Sequence, residues 1–200
     1  MSVLVIALLF LAGFVSGAIN AVAGGGTFIS FGALTLIGVP SIVANATSSI
    51  AQLPGYITST LAYRKDFAKM WRGVLVLAVV SAIGSLGGAL FLLYLNNEQF
   101  SAVVPWLLLG ATALFAAGPW LKPKPKHQDA AAEGRNLASP IVQFFTSIYG
   151  GFFGAGMGIM MLATLGLTEG GDYHRLNAIK NLLANVIAIT AIIVFVSGGV

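Results

Sequence analysis

The stretch from Gly13 to Ser49 reads GFVSGAINAVAGGGTFISFGALTLIGVPSIVANATSS and contains no charged residue. Three consecutive glycines, Gly24 to Gly26, interrupt its apolar part, and a small polar patch closes it. A long apolar segment that is broken by glycines and followed by small polar groups is typical of a discontinuous transmembrane helix that lines a polar cavity. The stretch therefore predicts a membrane protein with a broken helix.

The composition of the whole chain indicates the same class of protein. The 200 residues are 58% hydrophobic and 8% charged, with a mean hydropathy of +0.93, whereas a soluble domain carries about 25% charged residues. There is no cysteine, which excludes a disulfide framework and a thiolate metal site. The net charge of +4 comes from basic loops between apolar spans, so it indicates topology and not nucleic-acid binding. We expect an all-α integral protein of the cytoplasmic membrane.

The pattern of the first stretch returns once, 132 positions later, with five identities and no gap. The identities pair Gly24, Gly26, Gly38, Asn45 and Ala46 with Gly156, Gly158, Gly170, Asn177 and Ala178. This spacing predicts two homologous repeats, residues 1–132 and 133–200. Each repeat is expected to open with a glycine-broken helix whose glycines lie near the membrane midplane; a full helix followed by a short re-entrant segment is the alternative that stays open at the glycine runs.

Apolar segments of about 20 residues mark the predicted spans. They occur at about 3–37, 41–63, 73–95, 100–120, 140–167 and 176–196. The first repeat thus has about four spans and the second about two, so about six of an expected eight are present. Two explanations stay open: a C-terminally truncated copy, or a second repeat that has lost its last pair of helices.

Two basic segments orient these spans. Residues 64–72 and the loop at 121–138 are rich in Lys and Arg, and the positive-inside rule places both in the cytoplasm. Counting spans from there places the turn at 96–99 and the loop around 170–175 outside. The same count predicts a cytoplasmic N-terminus.

The two glycine stretches resemble the sulfite exporter TauE/SafE family of membrane transporters. The resemblance rests on GFVSGAINAVAGGGTF and GVPSIVANATSSIAQ in the first repeat, and on YGGFFGAGMGIMMLATLGL and LNAIKNLLAN in the second. It implies two related halves of four helices, each opened by a glycine-rich broken segment. It also implies the export or facilitated passage of a small anion, such as sulfite, a sulfonate or a related organic anion. The chain departs from this pattern because the last two helices are not present.

The candidate binding residues lie in the two glycine segments and in the helices that follow them. Three glycines in a row leave backbone N–H groups without partners, which then need a cavity, water or a ligand. Half-helices beginning at Thr27 and Ile159 would direct their positive ends at an anion; close helix packing is the alternative role of the glycines. The candidate set is Gly24, Gly25, Gly26, Thr27, Asn45, Thr47, Ser48, Gly156, Gly158, Asn177, Lys180 and Asn181.

Polar groups after each break have two readings. Asn45, Thr47, Ser48 and Ser49 either cap and bridge helices or form a ring of neutral donors around an anion. Gln52 and Asn185, deeper in their helices, either line a pathway or bridge helices.

Lys180 is the only ionisable residue predicted inside a span and away from its edge. It matches the position of Ser48 in the first repeat and shares a helical face with Asn177 and Asn181. An ionisable group in a span indicates a functional site, whereas a lysine one turn into a helix can also extend to the interface. Because no predicted span holds an interior carboxylate, ion coupling is absent, mediated by Lys180, or located in the missing helices.

These observations favour a transporter over two other classes. No predicted span contains a carboxylate pair, a histidine cluster or a Ser-His constellation, so an enzyme is disfavoured and no catalytic residue, metal or cofactor is expected. An accessory or assembly subunit without transport of its own stays open, as does a homo-oligomer.

Overall fold

The computed structural model describes residues 2–64, 71–121, 138–169 and 173–200. The helices in these ranges are α1 (Val3–Ala23), α2 (Thr27–Leu36), α3 (Ser41–Ala62), α4 (Trp71–Leu93), α5 (Asn97–Leu121), α6 (Ala138–Phe152), α7 (Met157–Thr168) and α8 (Tyr173–Ser197). None of the described residues forms a strand. The prediction of an all-α protein is therefore confirmed.

Three of the described helices are long and apolar enough to cross a membrane. They cover Val3–Ala23, Gly73–Leu93 and Tyr173–Ser197. By contrast, α2 and α7 have 10 and 12 residues, well short of the roughly 20 that a span requires. Only 11% of the apolar window in α1 is buried, so most of that helix presents apolar side chains outward, as a lipid-facing helix does.

The first two helices form an antiparallel hairpin and not one broken helix. Gly24 ends α1 in the left-handed region, with φ 78°, and reverses the chain. The Ser16 hydroxyl donates to the Gly26 carbonyl at 2.6 Å and lies 3.1 Å from the Ser30 hydroxyl. Because residues farther before the turn contact residues farther after it, α2 returns along α1.

The second glycine segment also reverses the chain. Gly156 has φ 80°, and the Met157 side chain lies against Gly150 just before the turn. At the other end of the pair, the Ser139 hydroxyl donates to the Glu169 carboxylate. The predicted broken helices are therefore wrong in shape, because glycines in the left-handed conformation turn the helices back on themselves.

Helix α3 runs parallel to α1. Gln52 donates to Ser16 at 2.5 Å, and one turn farther along both helices Tyr56 lies beside Asn20. Arg64, which follows α3, therefore lies at the opposite end of the bundle from the start of α1; we call this end the basic end. The prediction that the N-terminus shares this end is wrong, because residues 3–37 were counted as one crossing, whereas the hairpin returns to the side where it began.

Helix α8 runs antiparallel to α3 and begins at the basic end. Asn185 donates to Thr60 at 2.6 Å, and the rings of Tyr63 and His174 lie 6.1 Å apart. The loop around 170–175 was expected at the end opposite the basic segments. That expectation is wrong at His174, since this residue lies beside the end of α3.

The turn before α5 lies at the end opposite the basic end, as predicted. Asn97 Oδ1 accepts from the Ile42 N–H at 3.2 Å, which places the turn beside the start of α3. Asn96 and Gln99 exchange side-chain hydrogen bonds with each other's backbone N–H at 2.8 and 3.0 Å, a capping box that fixes the start of the helix. The predicted loop at 121–138 lies almost wholly outside the described residues.

Small residues let α4 pack closely against α6. A Cβ added at Gly84 would lie 2.7 Å from the Phe144 carbonyl, and one at Gly88 would lie 2.8 Å from the Phe152 N–H. Such approach of backbones is how small residues join helices in membranes. This contact holds the second hairpin in place beside α8.

The hairpin topology predicts which residues share a side of the membrane. Since the chain has no native cysteine, single cysteines at Ser2, Asn96 and Arg64 report on one position each. We expect Ser2→Cys and Asn96→Cys to react with an impermeant maleimide from one side, and Arg64→Cys to react from the other. Reaction of Ser2→Cys and Arg64→Cys from the same side would contradict the reversal at Gly24.

Candidate functional site

A small cavity lies where the two hairpins meet α3 and α8. Its volume is about 10 Å³, near the minimum that one water molecule requires. It is lined by Thr27, Ser49, Gln52, Tyr56, Gly150, Gly154, Met157, Ala188 and Ala191. Hydroxyl and amide groups and backbone form its polar wall, and this lining contains no carboxylate and no basic side chain.

Thr27 is the polar group that most clearly points to a ligand. It is 2% exposed, and its Oγ1 has no hydrogen-bond partner. Thr27 is also the first residue of α2, and among the described residues the N–H groups of Gly25, Gly26 and Thr27 have no acceptor. An unpaired hydroxyl beside the positive end of a helix is suited to an anion.

Tyr56 forms the opposite wall of the cavity from α3. It is 2% exposed and lies against the side chains of Asn20 and Thr27. Neither Asn20 Oδ1 nor Thr27 Oγ1 reaches a hydrogen bond of good geometry. The site thus contains polar atoms that are desolvated and unpaired, which is costly unless a ligand or water satisfies them.

The glycines of the two turns pack against each other. A Cβ added at Gly24 would lie 2.6 Å from the Gly158 backbone. One at Gly26 would meet the Ser16 carbonyl, and one at Gly156 would meet the Phe28 ring. The packing role considered for the glycines therefore applies, and of the predicted residues in the two turns only Thr27 lines the cavity.

Asn45 holds the tip of the second hairpin. It is 1% exposed, and its side chain donates to the Phe152 carbonyl and accepts from the Gly154 N–H, both at 3.1 Å. These two backbone groups lie at the end of α6, where intrahelical partners run out. The amide therefore replaces the hydrogen bonds that the turn removes.

Asn177, 132 positions later, holds the tip of the first hairpin. Its side-chain nitrogen donates to the Ala21 carbonyl at 3.4 Å and to the Tyr63 hydroxyl at 3.2 Å, while its Oδ1 has no partner. Each asparagine thus belongs to one glycine stretch and supports the turn of the other. Both predicted residues are part of the site's scaffold, although neither lines the cavity.

Lys180 continues this support along α8. Its side chain is fully buried, and Nζ donates to the Asn20 carbonyl at 3.2 Å. The Tyr173 hydroxyl donates to the Val22 carbonyl one turn before Asn177. Three donors on one face of α8 thus contact three consecutive carbonyls at the end of α1, and the Asn20 carbonyl also accepts from the Gly24 N–H at 3.1 Å. Extension of Lys180 to the interface is wrong, because the ammonium group points into the bundle.

Three further expectations need correction or placement. Thr47 is exposed, so it does not belong to a ring of donors. Ser48 and Asn181 are each 1% exposed, and Ser48 Oγ and Asn181 Nδ2 are unpaired, but neither residue lines the cavity. The second half-helix begins at Met157 and not at Ile159.

The predicted set missed part of the cavity wall. Tyr56, Gly150 and Met157 line it but were not predicted. Ser49, Gln52 and Tyr56 follow each other at three- and four-residue spacing on α3, so they share one helical face. That periodicity was the available signal for Tyr56.

The apolar helices and the buried polar centre define an α-helical membrane protein. Residues 9–200 match the sulfite exporter TauE/SafE family, and the chain belongs to that family. No solved structure matches it.

Relatives with curated descriptions carry transporter names. The chain is 31% identical over 163 residues to a probable membrane transporter protein of Haemophilus influenzae, covering 81% of this chain and 63% of the relative. It is 27% identical over 167 residues to the probable membrane transporter protein ORF9 of a Sinorhizobium species, covering 82% and 64%. It is 25% identical over 200 residues to YfcA of Escherichia coli K12, a probable membrane transporter, covering 99% and 72%. The chain thus spans under two thirds of the length of the first two.

The contact between the turns predicts an unequal effect of two glycine substitutions. Gly24→Ala places a Cβ against the Gly158 backbone on a residue with φ 78°, so we expect a loss of about 2–4 kcal/mol in unfolding free energy. Gly13→Ala, which meets nothing within 4 Å, should change it little. Thermal unfolding of the purified protein in detergent measures both, and equal losses would contradict this packing.

The asparagine contact with the second hairpin predicts a further loss of stability. Asn45→Ala leaves the buried Phe152 carbonyl and Gly154 N–H unpaired, which should cost about 2–4 kcal/mol. Thr47→Ala, on the exposed side of the same helix, serves as the matched control. An Asn45→Ala protein as stable as the control would show that water replaces the amide.

Proposed function

We propose that this protein transports a small anion across the membrane and that the anion binds in the cavity at the start of α2. The observation that carries the proposal is Thr27, whose buried hydroxyl is unpaired and lines the cavity beside the positive end of a helix. Gln52 and Tyr56 supply further donors, and the lining has no negative group to repel an anion. A small oxyanion such as sulfite or a sulfonate suits such donors, and the family's description supports that class.

We also propose that the chain contains inverted repeats. The two left-handed glycines, Gly24 and Gly156, lie 132 residues apart, as do the first residues of α3 and α8, Ser41 and Tyr173. The first hairpin opens at the end where α3 begins, and the second opens at the basic end. Equivalent elements that run in opposite directions support repeats related by an axis in the membrane plane, with the substrate site between them.

This arrangement suggests how access alternates. A cavity that holds about one water molecule is too small for an oxyanion, so the hairpin tips must separate for binding. Asn45 holds one tip, and Asn177 with Lys180 holds the other. Release of one tip at a time would open the site to one side of the membrane only.

The basic end is proposed to face the cytoplasm. It carries Arg64, the first residue of the basic stretch at 64–72 of the sequence, and cytoplasmic loops are enriched in Lys and Arg. Because α1 begins at the opposite end, the N-terminus is then placed outside. The single-cysteine experiment described above, done in intact cells, assigns these sides directly.

Vesicle flux distinguishes this proposal from an accessory subunit, which would bind a partner but move no anion. In reconstituted vesicles, we expect Thr27→Val to keep the shape of the side chain and lower the rate of sulfite or methanesulfonate entry about tenfold or more, since a hydrogen bond to a charged group contributes about 1.5–3 kcal/mol. Thr47→Val should leave the rate close to that of the parent. Parent vesicles that take up no anion would favour the accessory role, and equal rates for both variants would remove Thr27 from the site.

A further inference from the structure

The positive charge of the Lys180 ammonium group is only partly compensated by the groups around it. The side chain is fully buried, and its acceptor is the neutral Asn20 carbonyl. The end of α1 supplies roughly half a negative charge to that position, while a buried ammonium group needs a full counter-charge or must lose its proton. A lysine held in this way is sensitive to any anion that comes near.

Asn20 connects this lysine to the cavity. Its backbone carbonyl accepts from Lys180, and its side chain lies against Tyr56. Tyr56 and Thr27 both line the cavity. An anion beside Thr27 and Tyr56 is therefore linked to the ammonium group through two residues, Tyr56 and Asn20.

The groups around Lys180 do not offer a competing negative charge. The described titratable and charged groups on α8 and on the helices packed against it are Tyr56 and Tyr63 of α3, Arg64 just after α3, Tyr149 of α6, and Tyr173, His174 and Arg175 of α8. No acidic residue occurs in α1, α2, α3 or α8. Glu169, the described carboxylate nearest in sequence to α8, accepts from Ser139 instead.

We infer that Lys180 carries the proton that is coupled to anion transport. Occupation of the cavity by an anion favours the ammonium form, and by reciprocity the ammonium form favours the anion. When the anion leaves, the ammonium group releases its proton to water on the same side and becomes a neutral amine, so a monoanion and a proton cross together without net charge. This inference rests on the proposed anion transport and assigns its coupling ion.

The test uses vesicles with a pH-sensitive dye inside and measures protons and anions that enter together. Methanesulfonate is the main probe, because it does not itself take up a proton near neutral pH; labelled sulfite and sulfate extend the series. Lys180→Arg keeps a positive charge but removes the group that releases a proton. Asn177→Leu is the matched control, since it removes a neighbouring support of the same hairpin tip and carries no proton.

We expect the parent to move about one proton per monoanion, and Lys180→Arg to move anions with a proton ratio near zero. Asn177→Leu should slow transport and keep the ratio of the parent. A Lys180→Arg protein that retains the ratio, or a parent that moves anions without protons, would overturn the inference and leave the proposed function intact. Failure of the parent to move any of the three anions would instead refute the proposed function.

If the Lys180→Arg protein does not transport, the binding of methanesulfonate provides a second test of the inference. Methanesulfonate should raise the thermal stability of the parent more at low pH than at high pH, because the ammonium form favours the anion. Lys180→Arg should show a pH-independent shift, and Lys180→Met a smaller one. The same pH dependence in the parent and in Lys180→Arg would assign the proton to another group.

Discussion

Reversing a helix inside a membrane exposes backbone carbonyl and N–H groups that lipid cannot satisfy. The rest of this structure depends on how those groups find partners. Val22, Ala21 and Asn20 at the end of α1 offer three carbonyls, and a face of α8 supplies a hydroxyl, an amide and an ammonium group at matching spacing. The second hairpin receives Asn45, which both donates and accepts, and its own Tyr149 hydroxyl donates to the Ala155 carbonyl. These groups supply the hydrogen bonds that the turns remove from the helices.

The same reversal places helix ends of opposite sign side by side. The carbonyl end of α1 is negative and attracts Lys180, while the N–H end of α2 is positive and adjoins the cavity through Thr27. This separation explains why the lysine does not line the cavity even though it lies close to it. The Lys180 ammonium group donates to the scaffold directly, and in the proposed mechanism it would act on a bound anion through Asn20 and Tyr56.

Much of this arrangement could be read from the sequence. The glycine runs, the offset of 132 and the paired residues Asn45 and Asn177 identify the elements that meet at the centre, and the apolar segments identify most helices. The direction of the chain after each break could not be predicted. A glycine run indicates where a helix stops, but the reversal depends on contacts such as Ser16 with Ser30, which small polar residues do not reveal in advance. The 21 apolar residues of α1 therefore suggested that the chain stays on the far side of the membrane, whereas α2 brings it back toward the side where α1 begins.

The hydrogen bonds that join the two glycine stretches could not be predicted either, because they link residues far apart in the sequence. Asn45 is 107 residues from the carbonyl it contacts, and Lys180 is 160 residues from its own. This non-local pattern has a mechanical consequence. Gly24 and Gly158 bring the two turns into backbone contact, so one tip cannot advance without displacing the other. Each tip is meanwhile held by a long helix that belongs to the opposite glycine stretch. In the proposed transport cycle, a shift of α3 that releases Asn45 would loosen the second hairpin while α8 still holds the first, so the two sides of the site would not open together.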